Sequence, residues 1–168
     1  MVTAYSEKKK LFDTLIAPVM EQAVVQMLGQ ILGEPVVLVD QGPVDNGHCP
    51  HEGEDLLAII AFTGDIKWAY SLVLPKETAT DMARRFAGFD IPYESQDMGD
   101  VVGEIANVLA GNVVALLDRQ RIRCQLSVPT VARGRGIKIF GILDASQHRL
   151  HFEYSGGKFW FRLTAAPH

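Results

Sequence analysis

This chain has no long apolar run, no cysteine framework, no basic surplus and no low-complexity tract, and each absence removes a class of protein. Its longest wholly apolar run, residues 56–62, is far below the roughly 18 residues that would span a bilayer. The N-terminus carries Glu7 and Lys8 to Lys10 without an apolar block of the signal type, so a cytoplasmic protein with no membrane attachment is expected. Cys49 and Cys124 are the only thiols and neither belongs to a CxxC pair, which argues against a disulfide scaffold. The formal net charge of -4 has the wrong sign for a protein that replaces counterions on a phosphate backbone, so no nucleic-acid partner is expected.

What is present is an ordinary globular mixture. Of 168 residues, 48% are hydrophobic and 21% charged, enough for one well-filled core, and no linker divides the chain, so residues 1–168 read as a single domain. Val19, Ala23, Val24, Met27, Leu28 and Ile31 recur at spacings of three and four until Gly33. They predict a helix that either begins near Ala17 or continues an earlier helix kinked at Pro18. Residues 34–39 read as a short strand and 41–55 as a surface loop. Two apolar stretches, 56–62 and 67–74, flank Thr63, Gly64 and Asp65 and predict an antiparallel hairpin closed by Pro75. A helix over 77–86 follows, ending before Gly88. Later, Ile122, Cys124, Leu126 and Val128 alternate with polar residues as in a half-buried strand. Residues 137–143, 149–154 and 158–164 are further strand candidates, the last two joined by a turn at 155–157.

The most informative segment is a predicted helix from Gln96 to about Leu117, where Asp97 and Asp100 approximate a capping box. At about 100° per residue, Asp100, Glu104, Asn107 and Gly111 fall within roughly 60° of one another and form one line along the helix. The opposite arc collects Val101, Val102, Ile105, Leu109, Val113, Leu116 and Leu117, enough to anchor the helix on a sheet. A solvated helix face is normally crowded with Lys, Arg and Glu, whereas this one has small residues with one carboxylate and one amide near its middle. Glycine within a helix costs about 1 kcal/mol relative to alanine. Gly103 and Gly111 therefore point to a face where close approach outweighs local stability.

The pattern Asp100-xxx-Glu104-xx-Asn107 on a helix, followed by Ser127-Val128-Pro129, resembles the signature of the CheC/CheX/FliY family, phosphatases of chemotaxis response regulators. The run from Gly99 to Gly111 and the later Leu126 to Val131 are most similar to the CheX branch. The resemblance implies an α+β fold, a CheC-like domain with a largely antiparallel sheet packed against long helices. It also implies a homodimer whose sheets join across the interface. CheC-branch members carry two Glu-xx-Asn helices; the comparable first helix here offers Asp13, then Ala17 and Met20, so one active centre per chain is expected.

An aspartyl phosphate on a CheY-type receiver domain is already activated by a bound magnesium ion, so hydrolysis mainly needs a water held in line with phosphorus. A carboxamide offers a donor and an acceptor at one tip and suits that task, which makes Asn107 the candidate catalytic residue. The resemblance implies that this amide enters the partner's acid pocket while Glu104 engages a partner lysine. The resemblance implies that the chain has no cofactor of its own and that magnesium belongs to the partner. Asp100 is placed in the first helical turn, where a carboxylate is favoured by the helix dipole. Together with Gly103 and Gly111 it forms the candidate partner-binding face. Glu-xx-Asn alone is weak, since such pairs are usually just solvated; the glycines, the stripe and the downstream Ser-Val-Pro-Thr carry the reading.

The competing readings are a noncatalytic adaptor that binds a receiver domain or flagellar switch component through the same face, and a metal-responsive module using His48, Cys49 and His51. That trio lacks a fourth ligand at a recognised spacing, so no metal site is expected. Ser127 has no Gly-x-Ser-x-Gly context, and the Gly134 and Gly136 pair opens no helix. Trp68, Phe152, Phe159 and Trp160 read as sheet-face packing rather than a base-stacking platform.

Overall fold

Pro18 cannot donate a backbone hydrogen bond, and its ring crowds the carbonyl one turn earlier. In the computed structural model, which describes residues 10, 12–44, 52–139 and 146–165, a five-residue π-helical turn, Phe12–Ile16, precedes the α-helix α1, Ala17–Leu32. The α-helix proper thus starts at Ala17, and the wider turn feeding it accommodates the proline in the first α-helical turn. Gly33 ends α1 in the left-handed conformation (φ 69°), its N–H donating to the Gly29 carbonyl at 3.0 Å.

The remaining elements are β1 (Val37–Pro43), β2 (Glu54–Gly64), β3 (Trp68–Pro75), α2 (Lys76–Ala87), α3 (Gln96–Arg119), β4 (Cys124–Leu126), β5 (Thr130–Arg135), β6 (Ser146–Tyr154) and β7 (Gly157–Ala165). They form the expected α+β architecture: a seven-stranded antiparallel sheet in the order β1-β6-β7-β3-β2, with β4 and β5 both pairing with β2. The β2–β3 hairpin keeps the predicted turn, pairing Phe62 with Trp68, whose rings stack at 3.9 Å and 7°. Gly88 caps α2 at φ 85°.

Three strand expectations are corrected. The first strand starts at Val37 and runs to Pro43, into the predicted loop; as an edge strand it tolerates Gly42 and Pro43, and a register shift between Leu38 and Asp40 adjusts its pairing with β6. The alternating stretch 122–128 shrinks to Cys124–Leu126, and Val128 is 83% exposed rather than half-buried. The strand expected at 137–143 is not formed over 137–139, the rest lying outside the described residues; β5, Thr130–Arg135, pairs instead with Glu54 to Ile59 of β2. The last two corrections share a physical reason: the long β2 takes two short partners, β5 along its first half and β4 at its end.

Side chains of alternate strand residues divide the sheet into two faces. Toward the helices lie Leu56, Ala58, Ile60 and Phe62 of β2, Tyr70, Leu72 and Leu74 of β3, and Phe159, Phe161 and Leu163 of β7, all buried with α1, α2 and α3 in one core. Each such large side chain contributes about 1.5–3 kcal/mol by leaving water. Leu57, Val73 and Trp160 form a smaller cluster on the other face, with Ile59, Ile137 and Ile139 packed on it. At the far end of α2, Arg85 donates to the Leu32 carbonyl at 3.1 Å and pairs with Glu34 at 2.6 Å and Asp81 at 2.9 Å. Trp68, Phe152, Phe159 and Trp160 are buried, so they are packing residues. By length and composition two helical stretches, 13–32 and 96–119, are apolar enough to cross a bilayer, and about half of each is buried within the fold.

Candidate functional site

The central helix forms as its sequence predicts but begins differently. Ser95, in extended conformation, is the N-cap; its hydroxyl accepts from the Met98 N–H at 3.2 Å and donates to the Pro92 carbonyl at 2.6 Å. Asp97 therefore sits inside the first turn rather than capping it, and the Asp97–Asp100 capping box does not form. Asp100, five residues into the helix, lies beyond the first turn as well. Its carboxylate instead accepts from Gln96 Nε2 at 3.0 Å, one turn back. The helix-dipole account of Asp100 is thereby removed.

The predicted stripe is real: Asp100, Glu104, Asn107 and Gly111 are all exposed, while Val102, Ile105, Leu109, Val113, Leu116 and Leu117 are buried in the core. Among the described residues, neither the Glu104 carboxylate nor the Asn107 carboxamide makes a side-chain hydrogen bond or ion pair within the chain. Beneath them, the buried Tyr70 hydroxyl of β3 donates to the Ala106 carbonyl at 2.5 Å and ties the helix to the sheet next to Asn107. Burial pushes the Tyr70 hydroxyl far above the ordinary tyrosine range, so it remains a donor.

The two glycines part company. Gly103 is buried, and a Cβ there would lie 3.4 Å from Val131 Cγ2 and 3.7 Å from Pro129 Cγ, so this side of the helix meets the chain's own β5 region. Gly111 is exposed with nothing within 4 Å of the Cβ position. Between α3 and the Pro129–Arg133 side runs a groove of about 640 Å³, lined by Gln96, Gly99, Asp100, Gly103, Glu104 and Asn107 on the helix and by Pro129, Val131, Ala132 and Arg133 across from it, with Glu94 and Ser95 at one end and Leu56 also contributing. Asn107 and Glu104 stand on its helical wall.

The opposite wall is held by Ser127, whose N–H donates to the Ala61 carbonyl at 2.9 Å and whose Oγ accepts from the Ala61 N–H at 2.9 Å and donates to the Val128 carbonyl at 3.0 Å. That hydroxyl is structural, in keeping with the absence of a nucleophile motif. Arg133 donates from Nη1 to the Tyr93 carbonyl at 2.6 Å and from Nη2 to the Glu94 carbonyl at 3.1 Å. The Tyr93 ring lies between Lys76 at 5.0 Å and Arg133 at 5.6 Å, and burial pushes its hydroxyl up to about 12. Glu94 pairs with Lys76 at 3.4 Å, and its own backbone amide and that lysine hold its carboxyl below the usual range.

Several of these residues escape a reading of the sequence. Ser95 carried a usable signal, a serine just ahead of an apolar-periodic run. Pro129 and Val131 lie in the downstream run that carries the family resemblance, but their contact with Gly103 is not readable from it; Tyr70 and Arg133 carried no signal, because each meets the α3 region only through tertiary packing. On α1 the positions matching Glu104 and Asn107, Ala17 and Met20, are buried at 3% and 0%, so no second stripe exists there. His48, Cys49 and His51 lie outside the described residues; among those described, no group of three His, Cys, Asp or Glu side chains could hold a metal ion.

The fold is shared with solved structures. The chemotaxis protein CheX from Desulfovibrio desulfuricans superposes with a TM-score of 0.79 at 24% identity, covering 90% of this chain and 99% of its own. A CheC-like superfamily protein from Shewanella sp. PV-4 gives 0.79 at 15% identity, over 90% and 97%. The CheX of a CheX–CheY–BeF3–Mg2+ complex from Borrelia burgdorferi gives 0.72 at 16% identity, over 90% and 97%. No curated protein matches the chain by sequence comparison. The sequence profile of the family described as chemotaxis phosphatase CheX matches residues 56–153, more than half of the chain and the whole span from β2 through the stripe to β6, and the chain therefore belongs to the CheX family.

Proposed function

We propose that this chain accelerates hydrolysis of the aspartyl phosphate of a CheY-type response regulator, with Asn107 orienting the attacking water and Glu104 anchoring the partner. The observation that carries the reading is an exposed carboxamide with no hydrogen-bond partner among the described residues, fixed on a helix whose other side is locked into the core. In the reaction a bond forms between water oxygen and phosphorus while the phosphorus–oxygen bond to the aspartyl carboxylate breaks. The electron pair leaves with the carboxylate and the water's proton leaves with inorganic phosphate. Asn107 Oδ1 accepts from the water and Nδ2 can donate to a phosphoryl oxygen, so the residue contributes alignment rather than basicity. The metal ion that neutralises charge sits on the receiver.

Glu104, one turn before Asn107, offers a free carboxylate for a partner lysine, and Asp100 and Gly111 extend the contact along the stripe. The Borrelia CheX, which shares the fold, was crystallised with CheY, BeF3 and Mg2+, and supports a receiver as the partner. A cytoplasmic setting is part of this reading. The reading includes a homodimer with joined sheets: among the described residues β1 pairs only with β6, and Val37 and Val39 on it are 56% and 52% exposed. Sedimentation at equilibrium tests this by the mass it reads.

Release of phosphate from phosphorylated receivers, with and without the chain, tests the function. Asn107→Ala is expected to lower the saturating rate by about a hundredfold or more while binding stays within a few-fold. Tight binding by the unmodified chain with no faster phosphate loss would instead establish the adaptor reading, which the unpartnered carboxamide does not require.

A further inference from the structure

We infer that Arg133 is a positioning residue that sets the opening of the groove beside Asn107, and thereby the affinity for the phosphorylated receiver; the inference rests on the function proposed above. Arg133 stands on β5, opposite Leu56 of β2, and its guanidinium reaches the carbonyls of Tyr93 and Glu94, the residues that lead into Ser95 and α3. It therefore ties the strand wall of the groove to the start of the helical wall. At the groove floor the walls meet through Gly103, Pro129 and Val131.

The form of the link matters. Two N–H groups of one planar guanidinium satisfy two successive carbonyls while its carbon lies 5.6 Å from the centroid of the Tyr93 ring, an arrangement that a lysine cannot reproduce. Residues 88–95 have no regular structure, and their other hydrogen bonds to this end of the groove come from Ser95 and Lys76. Loss of Arg133 releases the lead-in segment from β5. Asn107 lies about 16 Å along the helix axis from Gln96 and is held separately through Ala106 and Tyr70. Docking geometry should change while alignment of the water does not.

The test is steady-state dephosphorylation of a receiver by Arg133→Gln and Arg133→Lys, together with binding of the same receiver loaded with beryllofluoride and magnesium. Both variants are expected to raise KM and the dissociation constant about tenfold, with kcat within twofold of the unmodified chain and no rescue by lysine. Arg85→Gln, which breaks a comparable arginine link away from the groove, controls for general destabilisation and should leave KM unchanged. An unchanged KM in folded Arg133→Gln, full rescue by lysine, or an equal rise of KM in Arg85→Gln would each overturn the positioning role. A receiver that binds the unmodified chain without faster hydrolysis sinks the catalytic reading alone, and the binding constants then decide Arg133. Absence of both binding and turnover with every receiver overturns both proposals.

Discussion

Gly111 offers a sharp contrast between stability and docking. It sits within α3, exposed, and beyond its own stretch of helix no described heavy atom lies within 4 Å of the place its Cβ would occupy. Gly111→Ala should therefore stabilise the chain by about 0.5–1 kcal/mol, by reducing the freedom of the unfolded state, seen as a higher urea midpoint with an unchanged slope. If the small residue is kept for a docking partner, the same protein should lose receiver turnover several-fold; a more stable variant with full turnover would remove Gly111 from the interface. Gly103 differs in kind, since an added methyl group there meets Val131 and Pro129 at ordinary contact distances inside the chain. The helical repeat alone ranks the two glycines together because it supplies an angle around the axis and not the identity of what covers that angle. For the same reason it recovers the line of Asp100, Glu104, Asn107 and Gly111, which needs only periodicity. It misplaces the cap, which depends on where Ser95 leaves the extended conformation.

Elements with strong internal rhythm were legible before any tertiary information. The α1, α2 and α3 helices, the β2–β3 hairpin and the β6–β7 pair each follow from a hydrophobic period with a glycine, proline or serine at the boundary. The short strands at the β4–β5 edge were not, because their existence is decided by β2, whose length leaves hydrogen-bonding groups for two partners. The alternation at 122–128 looked like one strand; its continuation is broken where Ser127 turns its hydroxyl back to Ala61. Ser95 supports an element-level prediction. Ser95→Ala removes the acceptor for the Met98 N–H and the donor to Pro92, and should cost about 1 kcal/mol, while Ser95→Asp keeps the cap and should cost less than half of that. Thermal midpoints of the two variants measure it, and equal losses would mean that the Pro92 link, which aspartate cannot make, matters more than the cap.

Across the whole molecule, two tyrosines join separate layers through their hydroxyls and a third is buried at a junction between elements. Tyr70 links β3 to α3 through the Ala106 carbonyl, Tyr154 links β6 to α2 through Asp81 at 2.8 Å, and Tyr93 is buried where the chain enters α3. All three hydroxyls are pushed upward chiefly by burial, Tyr93 to about 12 and the other two beyond it, with the Asp81 carboxylate adding to the effect on Tyr154. The folded state therefore holds these protons more tightly than the unfolded chain, in which tyrosine titrates near 10. Their contribution is complete at neutral pH and is lost as pH rises from about 10 through the folded-state values, so the chain should unfold at steadily lower urea concentration over that range. Phenolate absorbance followed alongside the unfolding signal provides the check. Three of the four tyrosines should ionise together with unfolding, and Tyr70→Phe should make the alkaline loss of stability shallower. All four phenolates appearing near pH 10 in a protein that keeps its tertiary signal would show that these hydroxyls are open to solvent, and that α3 is not fastened to the sheet at Ala106 as the Asn107 geometry requires.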